Sequence, residues 1–247
     1  MSNSNDLIQK LKDYNNDNLI PIFIPSLSKK LKFKPLTIKQ QKNIIKTAGD
    51  GVISGATLSQ VINNIVNELC VESDQEFSII DRYPVILAAR MHSVGDEIDV
   101  GSDKVSIKEH IAICNDTFKG KTYDETTTCS LQDITINLKI PSLKRDSVVS
   151  DKFTKNAKDN GVEIGDAVAT LYVHEIVKFI SSIENGDDVL DFYKMSILDC
   201  VKIVESLPIS TNKKIIDYIE SIRDIENLYL ETSSGDIEID ASFFSVA

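Results

Sequence analysis

Residues 19–48, LIPIFIPSLSKKLKFKPLTIKQQKNIIKTA, constrain the fold of this chain more than any other stretch. Ile20, Ile22 and Ile24 alternate with Pro21, Phe23 and Pro25, and Leu31, Phe33 and Pro35 alternate with Lys30, Lys32 and Lys34. Two period-2 runs on either side of Ser26-Leu27-Ser28 predict a β-hairpin with one solvated lysine edge. Proline cannot donate a ladder hydrogen bond, so the first run belongs on a sheet edge, where prolines and lysines discourage stray strand pairing. Thr37-x-x-Gln40 then fits a capping box, in which each side chain satisfies an amide at a helix start. The hairpin is expected to feed directly into a helix.

Upstream, residues 1–18 are polar and rich in Asn and Asp, with Leu7, Ile8 and Leu11 as a short amphipathic patch. They are expected to form a flexible arm, frayed or ordered by a partner. Downstream, Gly49-Asp50-Gly51 and Gly55 mark a loop. Thr57-x-x-Gln60 offers a second capping box ahead of Leu58, Val61, Ile62, Ile65 and Leu69 at helical spacing. Asp81 is expected to cap the next helix, with Pro84 in its first turn, Gly95 at its end and an apolar run over 85–89 buried between them. Asp81, Arg82 and Arg90 read as an ion pair flanking that buried helix. Residues 96–140 read as a β-rich insert, with strands at 98–100, 105–113 and 134–140 and a polar loop over 117–128. Ile140-Pro141-Ser142-Leu143-Lys144 echoes Ile24-Pro25-Ser26-Leu27-Ser28-Lys29.

Residues 144–158 predict a polar helical connector, and Asn160-Gly161 with Gly165 marks a boundary near 160. Residues 165–180 are dense in β-branched side chains and fit either a strand or a helix. Asn185-Gly186 predicts a hairpin turn if strands flank it. Cys200, Val201, Val204 and Leu207 suggest a short helix stopped by Pro208. Ser210 or Thr211 then caps a long helix carrying Ile215, Ile219, Ile222 and Ile225 or Tyr229. After Ser233-Ser234-Gly235-Asp236 a closing strand is expected, with Ile237, Ile239, Ala241 and Phe243 on one face. Phe244 would break the opposite, otherwise polar face, as an exposed anchor for a partner. The expected class is α+β: an N-terminal hairpin with helices, a central β-rich insert, and C-terminal helices closed by a hairpin. The expected division is a flexible arm over 1–18, a hairpin-helix domain over 19–160 with the insert at about 96–140, and a C-terminal α+β domain over 161–247.

A formal charge of −11 argues against a nucleic-acid-binding surface, which needs clustered Lys and Arg. The lysines of 29–46 form the one basic concentration. Lys29, Lys30, Lys32 and Lys34 are candidate docking residues for an acidic partner as well as a solvated edge. No run approaches the ~20 apolar residues of a membrane span, and the N-terminus has no secretory signal, so a cytoplasmic location is expected. Cys70, Cys114, Cys129 and Cys200 are widely spaced, which suits free thiols. His92, His110 and His174 sit in no catalytic motif, and the P-loop, G-x-G-x-x-G and G-x-S-x-G are absent. Asp187-Asp188 reads as turn-solubilising charge. No catalytic residue, cofactor or metal is assigned, and the chain is not expected to be an enzyme.

The run I-P-S-L-x-K-K-L-K-F-K-P-L-T-I-K-Q-Q-K resembles the opening of the baseplate hub assembly proteins of T4-type contractile-tailed phages. Those proteins show a proline, a lysine pair, Lys-Phe-Arg-Pro-Phe and a lysine-rich helix; here Lys34 replaces the arginine and Leu36 the phenylalanine. I-I-D-R-Y-P-V-I-L-A-A-R is similar to another recurring segment, and the likeness is strongest over 20–46, 77–95, 134–148 and 174–244. Related proteins can carry C-x-x-C-G zinc knuckles. The equivalent places here read Thr126-x-x-Cys129 and Glu231-x-x-Ser234-Gly235, which leaves one thiolate where a structural site needs four ligands. A composite of Cys114, Cys129, His110 and an acid has no spacing in its favour. The resemblance implies a structural or assembly protein of a baseplate hub, acting through contacts with other hub and tail proteins in the host cytoplasm or in the virion. The alternatives are a tail assembly chaperone that leaves the particle and a small metal- or nucleic-acid-binding module.

Overall fold

The alternation over 20–33 builds the predicted hairpin. Strand β1 (Ile20–Ile24) pairs antiparallel with β2 (Lys29–Phe33), Ile20 opposite Phe33 and Ile24 opposite Lys29. A 3-10 turn, Pro25–Leu27, joins them and Ser28 closes it in the left-handed region at φ 49°. Ile20, Ile22, Ile24, Leu31 and Phe33 are buried, while Lys30 and Lys32 face solvent. The backbone edge of β2 is not open: Lys34 N donates to Leu69 O at 2.8 Å and Val71 N to Lys32 O at 3.0 Å. Because backbone groups alternate along a strand, Lys32 and Lys34 point outward, and on β1 it is Pro21 and Phe23 that point away from the pair. The missing proline amide therefore falls on the free edge, where it costs no ladder bond. These strands belong to a computed structural model that describes residues 2–48, 52–72, 74–159, 164–240 and 242–244.

Thr37 and Gln40 form both halves of the capping box that opens α2 (Ile38–Thr47). The second predicted box does not form. Helix α3 (Val52–Leu69) starts earlier, so Gly55 and Thr57 lie inside it, and Thr57 Oγ1 donates back to Ile53 O at 2.8 Å. A threonine in mid-helix bonds the preceding turn, and the cap signature loses to continued helix. The rest of the predicted loop, 49–51, lies outside the described residues. Ile62, Ile65 and Leu69 are core, as the spacing implies. Helix α4 (Arg82–Ser93) is buried over 84–90 and carries Pro84 in its first turn. Asp81 does not cap it. Its carboxylate instead accepts from Ser26 N, Ser26 Oγ and Ser78 N at 2.9, 2.6 and 2.8 Å, tying the hairpin turn to the entry of α4.

The insert is less β-rich than expected. After β3 (Glu97–Val100) and β4 (Asp103–Ser106), the predicted strand over 105–113 is instead helix α5 (Ile107–Gly120). Ser106 caps it by accepting from Glu109 N, and Ile107, His110, Cys114 and Phe118 form its buried stripe at helical spacing. Strands β5 (Thr126–Leu131) and β6 (Ile134–Lys139) pair with β7 (Ile180–Asn185) and β8 (Asp188–Asp191) in one antiparallel sheet of order β5-β6-β7-β8. Asn185 and Gly186 make the predicted turn, Gly186 at φ +60°.

Two helices join β6 to β7. Helix α6 (Leu143–Asp159) is no solvated connector: Val149, Phe153 and Ala157 are buried, and it packs along α3. Helix α7 (Ile164–Phe179) settles the open reading of 165–180 as helix. The boundary expected near 160 falls on 160–163, outside the described residues, while strands from both sides of it share the sheet and one buried cluster running from Ile20 to Phe244. Helix α8 (Ile197–Glu205) is capped by Ser196, and α9 (Ile209–Asn227) follows Pro208, so Ser210 and Thr211 lie in its first turn rather than at its cap. Strands β9 (Glu231–Thr232) and β10 (Gly235–Asp236) form a minimal hairpin. The expected long closing strand is absent: 237–240 is irregular and 242–244 is a 3-10 turn. Ala241, placed on that strand by its alternation, lies outside the described residues. Within the arm expected over 1–18, Ser2–Asp17 form helix α1 with Leu7, Ile8, Leu11 and Tyr14 exposed.

Candidate functional site

The basic concentration falls on two exposed elements, β2 and α2. Residues 19–48 hold seven lysines and no carboxylate in a chain of net charge −11. Lys29, Lys30 and Lys32 project from β2 into solvent and Lys34 is half-buried just beyond it, while Lys39, Lys42 and Lys46 are exposed along α2. Lys29 Nζ donates to Gln75 Oε1 at 2.9 Å. On the same helix, Ile38 is 83% exposed and Ile45 40% exposed.

Phe244, the other predicted docking residue, is not on a surface. It is 6% exposed, its ring packs edge-on against Phe243 with centroids 5.1 Å apart, and Arg90 Nε donates to Phe243 O at 2.9 Å. A 3-10 turn puts neighbouring side chains about 120° apart instead of on opposite faces, so both rings enter the core.

The deepest electrostatic feature was not anticipated. Arg82 reaches Asp146 at 2.6 Å and Glu226 at 3.2 Å, and Lys178 reaches Asp146 at 2.7 Å and also pairs with Glu175. Arg223 meets Glu175 at 3.2 Å, and Asn63 Nδ2 donates to Asp146 Oδ2 at 2.7 Å. Three cations and three anions thus join α3, α4, α6, α7 and α9 beside a cavity of about 400 Å³. Burial alone would raise the Asp146 carboxyl, yet Lys178 and Arg82 hold it well below the usual carboxylate range. Burial pushes the Glu226 carboxyl up against the pull of Arg82. Lys178, which burial would lower, is held above its ordinary value by Asp146 and Glu175. Signs balance and no nucleophile faces a base here, so the cluster locks helices together. Asp81, Arg82 and Arg90 do not pair with one another: one holds a turn, one enters the cluster, and Arg90 binds carbonyls, including that of Gly95. Lys178 is the member with a sequence signal, a lone cation inside the apolar run of 176–180.

Two of the histidines, His110 and His174, and three of the cysteines, Cys114, Cys129 and Cys200, are buried in the packing. His110 Nε2 lies 2.9 Å from Tyr229 O, and Cys114 Sγ is 3.6 Å from the same nitrogen while donating to Leu228 O at 3.2 Å. Burial pushes the Cys114 thiol up to about 11. His174 is held by Thr170 O at 2.8 Å against Phe153, with burial lowering its pKa, and His92 is exposed. Among the described residues no group of three or more His, Cys, Asp or Glu is placed to hold a metal ion. Asp187 and Asp188 are exposed at the β7–β8 turn. Among the described residues no helix is long and apolar enough to cross a membrane.

No curated protein and no solved structure matches the chain. A family model described as T4 bacteriophage base plate protein matches residues 18–233, from the residue after α1 through β9. With that match covering most of its length, the chain belongs to the T4 bacteriophage base plate protein family.

Proposed function

We propose that the chain is a hub subunit or hub assembly factor of the baseplate of a contractile, myovirus-type tail, and that it works by binding other hub and tail proteins rather than by catalysis. The observation that carries this reading is the run of seven lysines on β2, just beyond it and along α2, which lies inside the family-matched span and concentrates positive charge in an acidic protein. Lys29, Lys30, Lys32 and Lys34 meet an acidic neighbour there, and their charge mainly speeds encounter. Such a protein assembles in the host cytoplasm and, as a hub subunit, stays in the virion.

Two experiments test the reading. Phage lacking the gene should build no functional hub, and wild-type protein supplied in trans should restore tails; normal tails without the protein would refute it. Mass spectrometry of purified virions then separates a resident hub subunit from an assembly factor that departs. The variant Lys30→Glu/Lys32→Glu should keep the thermal midpoint within about 2 °C, since surface changes cost little. Its rescue of tail formation should fall by about tenfold, the lower range of electrostatic steering. Full rescue by the variant would remove the lysines from the mechanism.

A further inference from the structure

The two I-P-S-L segments singled out in the sequence come together. Ser26 of the first donates to Asp81 through its amide and hydroxyl. The second docks on the same entry segment, with Ile79 N donating to Pro141 O at 3.1 Å, Leu143 N to Phe77 O at 2.9 Å, and Ser142 bridging Ser78. Between them lies a pocket of about 180 Å³ with Leu27 and Ile140, one from each segment, in its lining. Small-molecule and cofactor sites usually run to roughly 300–1,000 Å³. This pocket is too small for them and is sized for one side chain.

Its lining narrows which side chain. Tyr123 and Tyr193 supply aromatic faces, and Glu76 and Glu125 place two exposed carboxylates on the lining against one cation, Lys139. The Asp81 carboxyl lies fully buried behind Ser26 and Ser78, where burial raises it above the usual carboxylate range. The buried Arg145 guanidinium already lies over the Tyr193 ring, 4.9 Å from its centroid. The apolar side chains of Leu27, Phe77, Ile80 and Ile140, two flat π faces and two carboxylates match a long aliphatic stem that ends in a planar cation with a forked set of donors.

We propose that this pocket receives a single arginine side chain from a neighbouring baseplate protein, its guanidinium stacked on a tyrosine ring and hydrogen-bonded to Glu76 and Glu125. The source of the arginine rests on the baseplate reading above; the recognition itself does not. Interface energy concentrates in such anchors, and arginine is prominent among them.

The test is an NMR titration of the isolated full-length chain with N-acetyl-arginine amide, with N-acetyl-norleucine amide as the uncharged control. Arginine amide should shift the Tyr123 and Tyr193 ring signals with a midpoint of about 1–10 mM, the range open to one anchor. Glu76→Gln/Glu125→Gln, both at exposed positions, should weaken this at least about fivefold, and Lys139→Met should tighten it, each with an unchanged thermal midpoint. Norleucine amide binding as well as arginine amide, indifference to the glutamate changes, or no response by about 50 mM would each overturn the proposal. A negative titration leaves the baseplate reading standing, whereas normal tails made without the chain would remove that reading and leave the pocket.

Discussion

Replacing Arg82 with Met tests whether the buried charge cluster acts as the lock between helices. Methionine keeps most of the aliphatic volume but removes the guanidinium that meets Asp146 at 2.6 Å and Glu226 at 3.2 Å. Asp146 retains Lys178 at 2.7 Å and Asn63 at 2.7 Å, so the orphaned charge is Glu226. Breaking one partner out of a buried pair costs about 3–5 kcal/mol. With a urea slope of roughly 2.5 kcal/mol per molar, the midpoint at pH 7 should fall by about 1.2–2 M. Adding Glu226→Gln removes the orphan, and the double variant should recover at least half of that loss. The sign of the pH dependence follows from the same residue. Burial already raises the Glu226 carboxyl, and losing Arg82, its chief opposing charge, raises it further. Between the unfolded value, near about 4.3, and the raised folded one, the folded variant holds a proton that the unfolded chain has released. Its stability therefore rises as pH is lowered through the raised folded value, and the gain is complete below the unfolded value. Asp146, held low, acts with the opposite sign, but only below about pH 4. Urea midpoints at pH 7 and pH 5.5 for the wild type and both variants settle the matter. A loss under about 0.4 M for Arg82→Met, or no recovery in the double variant, would refute the reasoning.

Phe243→Ala and Phe244→Ala should each destabilise by about 3–5 kcal/mol in urea melts, because both rings are buried; an unaffected Phe244→Ala would put that ring back on the surface. In the native chain at pH 8, a thiol reagent should modify Cys70 first, since Cys114, Cys129 and Cys200 are buried and the Cys114 thiol is pushed up to about 11. Three further equivalents should appear only on unfolding, and rapid release of all four would contradict the packing described. Gly186→Ala meets no atom within 4 Å of the added Cβ, so its cost is the φ +60° backbone alone, about 1 kcal/mol by thermal denaturation.

The hairpin, the Thr37 cap and the buried run of α4 were legible because each is written in adjacent residues. Residues 107–120 were misread because Ile107, Ile111 and Ile113 look like strand formers, while the deciding signals were the Ser106 cap and the 107, 110, 114, 118 stripe. Helix α6 looked like a solvated connector for a different reason. Its buried face includes Arg145, Asp146, Ser150 and Thr154, polar residues that composition assigns to water. The charge cluster was invisible for the same cause, compounded by distance: Arg82, Asp146, Lys178 and Glu226 share no local spacing and meet only when helices from all parts of the chain pack. The exposed lysines were partly legible, β2 from its alternation and α2 from its cap. The exposure of Ile38 and Ile45 depends on which face of α2 the core takes.

The pairing of β6 with β7 sets a timetable for synthesis. Asn137 donates to Ser182, 45 residues further along, with α6 and α7 between them. At about 5–20 residues per second, a ribosome needs roughly 2–9 s to make that interval. Throughout it, β5 and β6 stand as a two-stranded ribbon, a form that is marginal alone, with one edge of β6 unclaimed. Any free strand nearby competes for that edge until β7 arrives, and the competition is sharpest when many copies are translated at once in an infected cell. Slowing translation through codons 140–180 should therefore lower the soluble yield of this chain without altering a single residue of the folded protein.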